Sequence, residues 1–141
     1  MITWVLTIAL LVTDSHGFSR AMPAKLAQAI LNATKDRAEQ AVMVVFAFHE
    51  GSYRTDVRGD SGASCGTFQS RCAVTPLCTA SSPQACFDTQ ARIALDTMHR
   101  SFAACPEYPL AVYASGSCTS AAGRRISTAR IAEARRLEGV P

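Results

Sequence analysis

Residues Ala38 to Glu50 read AEQAVMVVFAFHE, and the rest of the chain is organised around them. Their composition predicts a helix in which Ala41, Val42, Val44, Val45, Phe46, Ala47 and Phe48 leave almost no polar face. A helix that is apolar nearly all round must be enclosed by other elements, so it is expected as the central helix of its domain. On its N-terminal side, Ala24 to Ala33 reads as a helix with Leu26, Ile30 and Leu31 on one side. From Gly51 to Thr67 the pattern changes to Gly, Ser, Thr and Asp. There Tyr53 to Val57 and Ser64 to Phe68, joined through Gly59-Asp60-Ser61-Gly62, are expected to form a small hairpin.

Cys72 to Ser82 reads as a loop around Pro76. Ser82-Pro83 is a helix start, with the serine as N-cap and the proline in the first helical position. The helix that follows carries Phe87, Ala91, Ala94, Leu95, Met98 and Phe102 at helical spacing and stops at Cys105-Pro106. Pro109 opens a short helix through Leu110, Val112 and Tyr113 to Gly116, and Ile126 to Leu137 reads as a last helix. Its apolar stripe is Ile126, Ala129, Ile131, Ala134 and Leu137. The expected class is therefore α+β and mostly helical, with a small β-hairpin beside a cleft. No internal repeat or low-complexity segment interrupts it.

A chain of 141 residues has room for one domain and one modest core. Apolar residues make up 48% and charged residues 18%, an ordinary globular balance that excludes a disordered chain. The formal charge of +3 is mild and suits a polyanionic wall or a membrane surface. No basic patch interleaved with aromatics is present, so nucleic acid is not an expected partner.

Met1 to Gly17 reads as a targeting segment. Trp4 to Val12 is an apolar run of signal-peptide length, and Ser15 and Gly17 are small residues before a cleavage site. It has no Lys or Arg ahead of the run and no Ala-x-Ala pattern, and the competing reading is an uncleaved, buried first helix or a membrane tether. The expected organisation is a leader over residues 1–17 and one domain over 18–141. The six cysteines, Cys65, Cys72, Cys78, Cys86, Cys105 and Cys118, all lie in later sequence. None form a Cys-x-x-Cys pair, and His16, His49 and His99 do not stand at zinc-finger spacing from them. Disulfides in an oxidising, exported setting are expected, and no metal or organic cofactor; the sequence leaves the pairing open.

Glu50 continues the apolar face of the central helix, one turn after Phe46 and two after Val42, where the helix runs into Gly51-Ser52. A carboxyl there is poorly hydrated, which favours its neutral, proton-donating form. Taken alone, a helix-end Glu in solvent or in a structural ion pair is the plainer reading. Three blocks change that: Glu50-Gly51-Ser52-Tyr53, then Gly59-Asp60-Ser61-Gly62-Ala63-Ser64-Cys65-Gly66-Thr67-Phe68-Gln69, then Ala111-Val112-Tyr113-Ala114-Ser115-Gly116. In order and approximate spacing, across Ala38 to Gly116, they resemble the soluble lytic transglycosylase and goose-type lysozyme family.

The resemblance implies a lysozyme-like domain that cleaves the glycan strands of peptidoglycan with Glu50 as general acid/base. It further implies that Ser52, Asp60, Ser64 and Gln69 line the cleft, and that the Tyr113 hydroxyl bonds to or orients the catalytic carboxyl. The chain departs from the family pattern at Gly51, inserted between Glu50 and Ser52, at Cys65 to Phe68, and at Ser115. Asp56 and Asp60 are the only acids in the hairpin; if either faces Glu50 it can position water, and otherwise the substrate's own 6-hydroxyl or N-acetyl group is the nucleophile. The transglycosylase outcome is the favoured expectation, for a monomeric, exported enzyme. The alternatives are a non-catalytic peptidoglycan-binding module and a disulfide-stapled secreted interaction module.

Overall fold

The computed structural model describes residues 1–141 throughout. The segment AEQAVMVVFAFHE lies in helix α3, Arg37–Gly51, which follows α1, Ile2–Ser15, and α2, Ala24–Ala33. Asp36 caps α3: its carboxylate accepts hydrogen bonds from the backbone N–H groups of Ala38 and Glu39, satisfying donors that the first turn leaves unpaired. Every residue from Gln40 to Phe48 is buried, because α3 is packed by α1 and α2 on one side and by α4, Gln84–Ala104, and α6, Ala121–Glu138, on others. A short helix α5, Ala111–Ser115, ends at Gly116 in the left-handed region and packs on α6. The fold is α+β and mostly helical, as expected from the sequence.

Met1 to Gly17, expected as a leader, forms α1 and closes the core. Trp4, Val5, Ile8, Ala9 and Val12 are buried, and the Trp4 indole N–H donates to the Val140 carbonyl at the far end of the chain. No helix of the protein is long and apolar enough to cross a membrane.

The β-region is smaller and shifted relative to the expected hairpin. Three two-residue strands, β1 Arg58–Gly59, β2 Ser64–Cys65 and β3 Ser70–Arg71, pair antiparallel in the order β1-β2-β3, with Arg58 opposite Cys65 and Cys65 opposite Ser70. Tyr53 to Val57 is not a strand: Ser52 and Tyr53 hold positive φ, which turns the chain sharply off α3 and drives the Tyr53 ring into the core. The start of α4 also lies one residue later than expected. Pro83 is the N-cap, and the Ser82 hydroxyl accepts instead from the Thr79 N–H in the preceding turn. On α6 the expected stripe is rotated. Ala129 is exposed, while Gly123, Ser127, Glu133, Ala134 and Leu137 face inward; Ser127 is buried because its hydroxyl accepts from the Leu110 N–H.

All six cysteines are oxidised, paired Cys65–Cys72, Cys78–Cys86 and Cys105–Cys118. Each bridge closes a short loop: the first ties β2 to the residue after β3, the second ties the Pro76 loop to α4, and the third joins the end of α4 to the loop before α6.

Candidate functional site

The site forms where α3 ends. Gly51 is needed there because a Cβ on it would stand 2.5 Å from the Thr67 Cα, a distance no side chain tolerates. The Thr67 hydroxyl, fully buried, donates to the Ala47 carbonyl at 2.8 Å. These two contacts sew the segment after β2 onto the last turns of α3. The glycine between Glu50 and Ser52 is therefore a packing requirement of this chain.

Glu50 is half-buried and lines a pocket of about 300 Å³ with Ser52, Arg54, Arg58, Gly59 and Gln69. The ion pairs of the protein join His16 and His49 to Glu133 and His99 to Glu39, so the Glu50 carboxyl belongs to none of them. Burial pushes its pKa above the ordinary carboxylate value; the Arg130 and His49 charges pull it back, and the Asp60 charge adds to the rise. Arg130 comes from α6, and its Nε is buried without a hydrogen-bond partner.

The other expected residues gather around Glu50 in different ways. Ser52 terminates α3 in the left-handed region (φ 49°) and lines the same pocket. Gln69, also at φ 49°, donates from its side chain to the Gly66 carbonyl at 2.9 Å. Its amide lies against Gly59, where a Cβ would meet Oε1 at 2.0 Å. Gln69 also lines a second and larger groove of about 700 Å³ between β3, α4 and α5, with Arg71, Asp96, Arg100 and Tyr113 on its walls. Asp60 is exposed in a single 3-10 turn, Asp60–Gly62, and accepts a 2.5 Å hydrogen bond from the Ser64 hydroxyl. Asp56 is exposed and is not among the charges that act on Glu50.

Tyr113 does not bond to Glu50. Its hydroxyl donates to the Phe68 carbonyl at 2.7 Å and lies 3.4 Å from the Ser70 hydroxyl, while its ring packs edge-on against Phe46 of α3. Burial raises its pKa, and the Glu50 charge raises it further, so the phenol is a fixed neutral donor close enough to sense that carboxyl. Its structural effect is to hold the turn that carries Gln69.

Five non-glycine residues have positive φ, and all lie between Ser52 and Gln69: Ser52, Tyr53, Asp60, Ser61 and Gln69. Such conformations cost on the order of 1–3 kcal/mol each and persist only where the surroundings enforce them. Three of the five are expected site residues.

Sequence reasoning missed Arg54, Arg58 and Arg130, whose approach to Glu50 depends on turns and on the rotation of α6. It also missed a cluster behind the site. One oxygen of Glu133 meets His16 Nε2 at 2.9 Å and the other meets His49 Nε2 at 2.8 Å. Burial alone would raise the Glu133 pKa, but hydrogen bonds from His49 and His16 outweigh it and hold the carboxyl at about 2. These three side chains are the group with the donor set and spacing of a metal site. No protein-family model, curated protein or solved structure matches the chain.

Proposed function

We propose that the protein is an exported, monomeric enzyme that cleaves the glycan strands of peptidoglycan, with Glu50 as general acid/base and the product a 1,6-anhydro sugar. The observation that carries this reading is the setting of Glu50: an unpaired, half-buried carboxyl on the wall of a polar pocket. Gln69 lines both that pocket and a larger groove. A polymeric glycan needs an extended surface on both sides of the cleaved bond, and a pocket that holds the acid and shares Gln69 with a second groove meets that need. The three sequence blocks that resemble lytic transglycosylases and goose-type lysozymes supply Glu50, Gln69 and Tyr113 in the same order. Backbone strain concentrated around Ser52, Asp60 and Gln69 adds support, since such strain gathers where side chains are held for a task. Three disulfides support an oxidising destination.

In this reading the Glu50 proton passes to the glycosidic oxygen as the bond from the muramic acid C1 breaks. The 6-hydroxyl of that sugar attacks C1 from within the ring, and its proton passes to the Glu50 carboxylate, restoring the acid. Asp60 is the residue on which a hydrolytic variant rests, because its charge reaches Glu50. Against it, the Asp60 carboxylate is exposed and already engaged by Ser64. The test is digestion of purified sacculi followed by mass spectrometry. Soluble anhydro-muropeptides are the expected product. Fragments heavier by one water replace the transglycosylase step with hydrolysis and keep the Glu50 assignment, and no release of fragments overturns the reading.

A further inference from the structure

His16, His49 and Glu133 are separated by most of the chain, yet their ligating atoms all lie within 4.8 Å of one another. They come from three helices. His16 caps the C-terminal end of α1, His49 lies in the last turn of α3, and Glu133 lies on the inward face of α6. The imidazoles stand edge-on to each other with centroids 4.8 Å apart, and both direct Nε2 at the same carboxylate. Glu133 is 8% exposed, and its ion-pair partners are these two imidazoles alone. Buried charges are ordinarily paired or coordinate a metal.

We propose that this cluster is a binding site for a divalent transition-metal ion of the zinc type, with His16 Nε2, His49 Nε2 and a Glu133 carboxylate oxygen as ligands. Two imidazoles and one carboxylate form an established donor set for Zn²⁺, held at roughly 2.0–2.2 Å from the ion. A tetrahedral ion at those distances holds its donors about 3.3 Å apart. The contacts of 2.9 and 2.8 Å run from His16 and His49 to different oxygens of Glu133, and the ligating atoms all lie within 4.8 Å of one another, so binding needs side-chain rotations that bring one carboxylate oxygen and both Nε2 atoms to that spacing. On binding, each imidazole carries its proton on Nδ1 and presents the Nε2 lone pair, and the carboxylate is already ionised. Three protein donors leave a fourth position for water. A bound ion ties the end of α1 to α6 and to α3 at His49, one residue before Glu50. Metal binding here does not require that Glu50 be catalytic.

The test uses the full chain, stripped with a chelator and titrated with Co²⁺ as a spectroscopic probe and then with Zn²⁺. The expected result is one equivalent of Co²⁺ with visible ligand-field absorption, displaced by Zn²⁺, and a rise in Tm with Zn²⁺. Glu133→Gln and His16→Gln are each expected to weaken binding by more than about tenfold. His99→Gln removes the imidazole that meets Glu39 at a distant pair with no third ligand, and is expected to bind as the unaltered chain does. His16 is solvent-exposed, so its variant reads the site even where Glu133→Gln fails to fold. Absence of saturable binding, or binding that His16→Gln leaves unchanged, overturns the proposal.

Discussion

From Gln40 to Phe48 every residue is buried, whereas from Ser52 to Gln69 five non-glycine residues hold positive φ and the strands last two residues each. The two regions touch along a seam at Gly51, Thr67 and the Ala47 carbonyl, and again where the buried Tyr53 ring packs on Phe48. The helix is held by area removed from water, a force with no directional demand. The β-region contributes only two large apolar side chains, Tyr53 and Phe68, to the core. It is otherwise held by a disulfide, by single hydrogen bonds and by the tyrosine hydroxyl from α5. The difference shows how the site is divided: the helix delivers a carboxyl at a fixed position, and the strained segment surrounds it with polar groups that no core packs.

If that division holds, substitutions in the two regions separate in kind as well as in size. Phe46→Ala removes a fully buried ring from the centre of the core and is expected to destabilise the fold by about 3–5 kcal/mol, measured by urea unfolding. Replacing Cys65 and Cys72 together with serine frees β2 from the end of β3. The expected cost is about 2–3 kcal/mol in the same assay, with activity lost well before global unfolding. A loss from the cysteine pair as large as that from Phe46→Ala would mean that the β-region helps to hold the core. Gly51→Ala drives a Cβ into the Thr67 backbone, and about 1–3 kcal/mol is expected. Unchanged stability and activity there would mean that the seam does not hold the two regions together. Tyr113→Phe deletes one hydrogen bond to the Phe68 carbonyl, costing about 1 kcal/mol. It is expected to raise KM more than it lowers kcat, because it loosens the turn that presents Gln69.

The same division explains what could be read from the chain. Helices defined by apolar pattern were legible: α2 runs Ala24–Ala33 as expected, and α3 extends the expected Ala38 to Glu50 by one residue at each end. The β-region was not, because a two-residue strand has no periodicity and Ser52 and Tyr53 carry no signal that they enter the left-handed region. The stripe on α6 differs from its pattern because a polar residue, Ser127, turns inward to meet the Leu110 N–H, a partner invisible from local sequence. At the N-terminus, an apolar run of this length has the same composition as a leader and as a buried helix. The contacts of Trp4 with Val140 and of Tyr53 with the Ala9 carbonyl depend on distant chain. Glu50 was legible as the end of an apolar face. The arginines near it and the His16–Glu133–His49 cluster were not, since they assemble from turns and from three separate helices.

Glu50→Gln is the smallest of these changes to the fold and the largest to the chemistry. It keeps the shape of a side chain that takes part in no ion pair, so stability is expected to stay within about 0.5 kcal/mol of the unaltered protein. In the proposed reading it also removes the proton given to the glycosidic oxygen, and general acid catalysis is worth roughly 10²–10⁴ in rate. The measurement is the initial rate of muropeptide release from purified sacculi by the two proteins at matched folded concentration. The Glu50→Gln rate is expected to lie at least about a hundredfold below that of the unaltered chain, with the circular dichroism spectrum unchanged. Equal rates from two equally folded proteins would contradict the assignment of Glu50 as the acid.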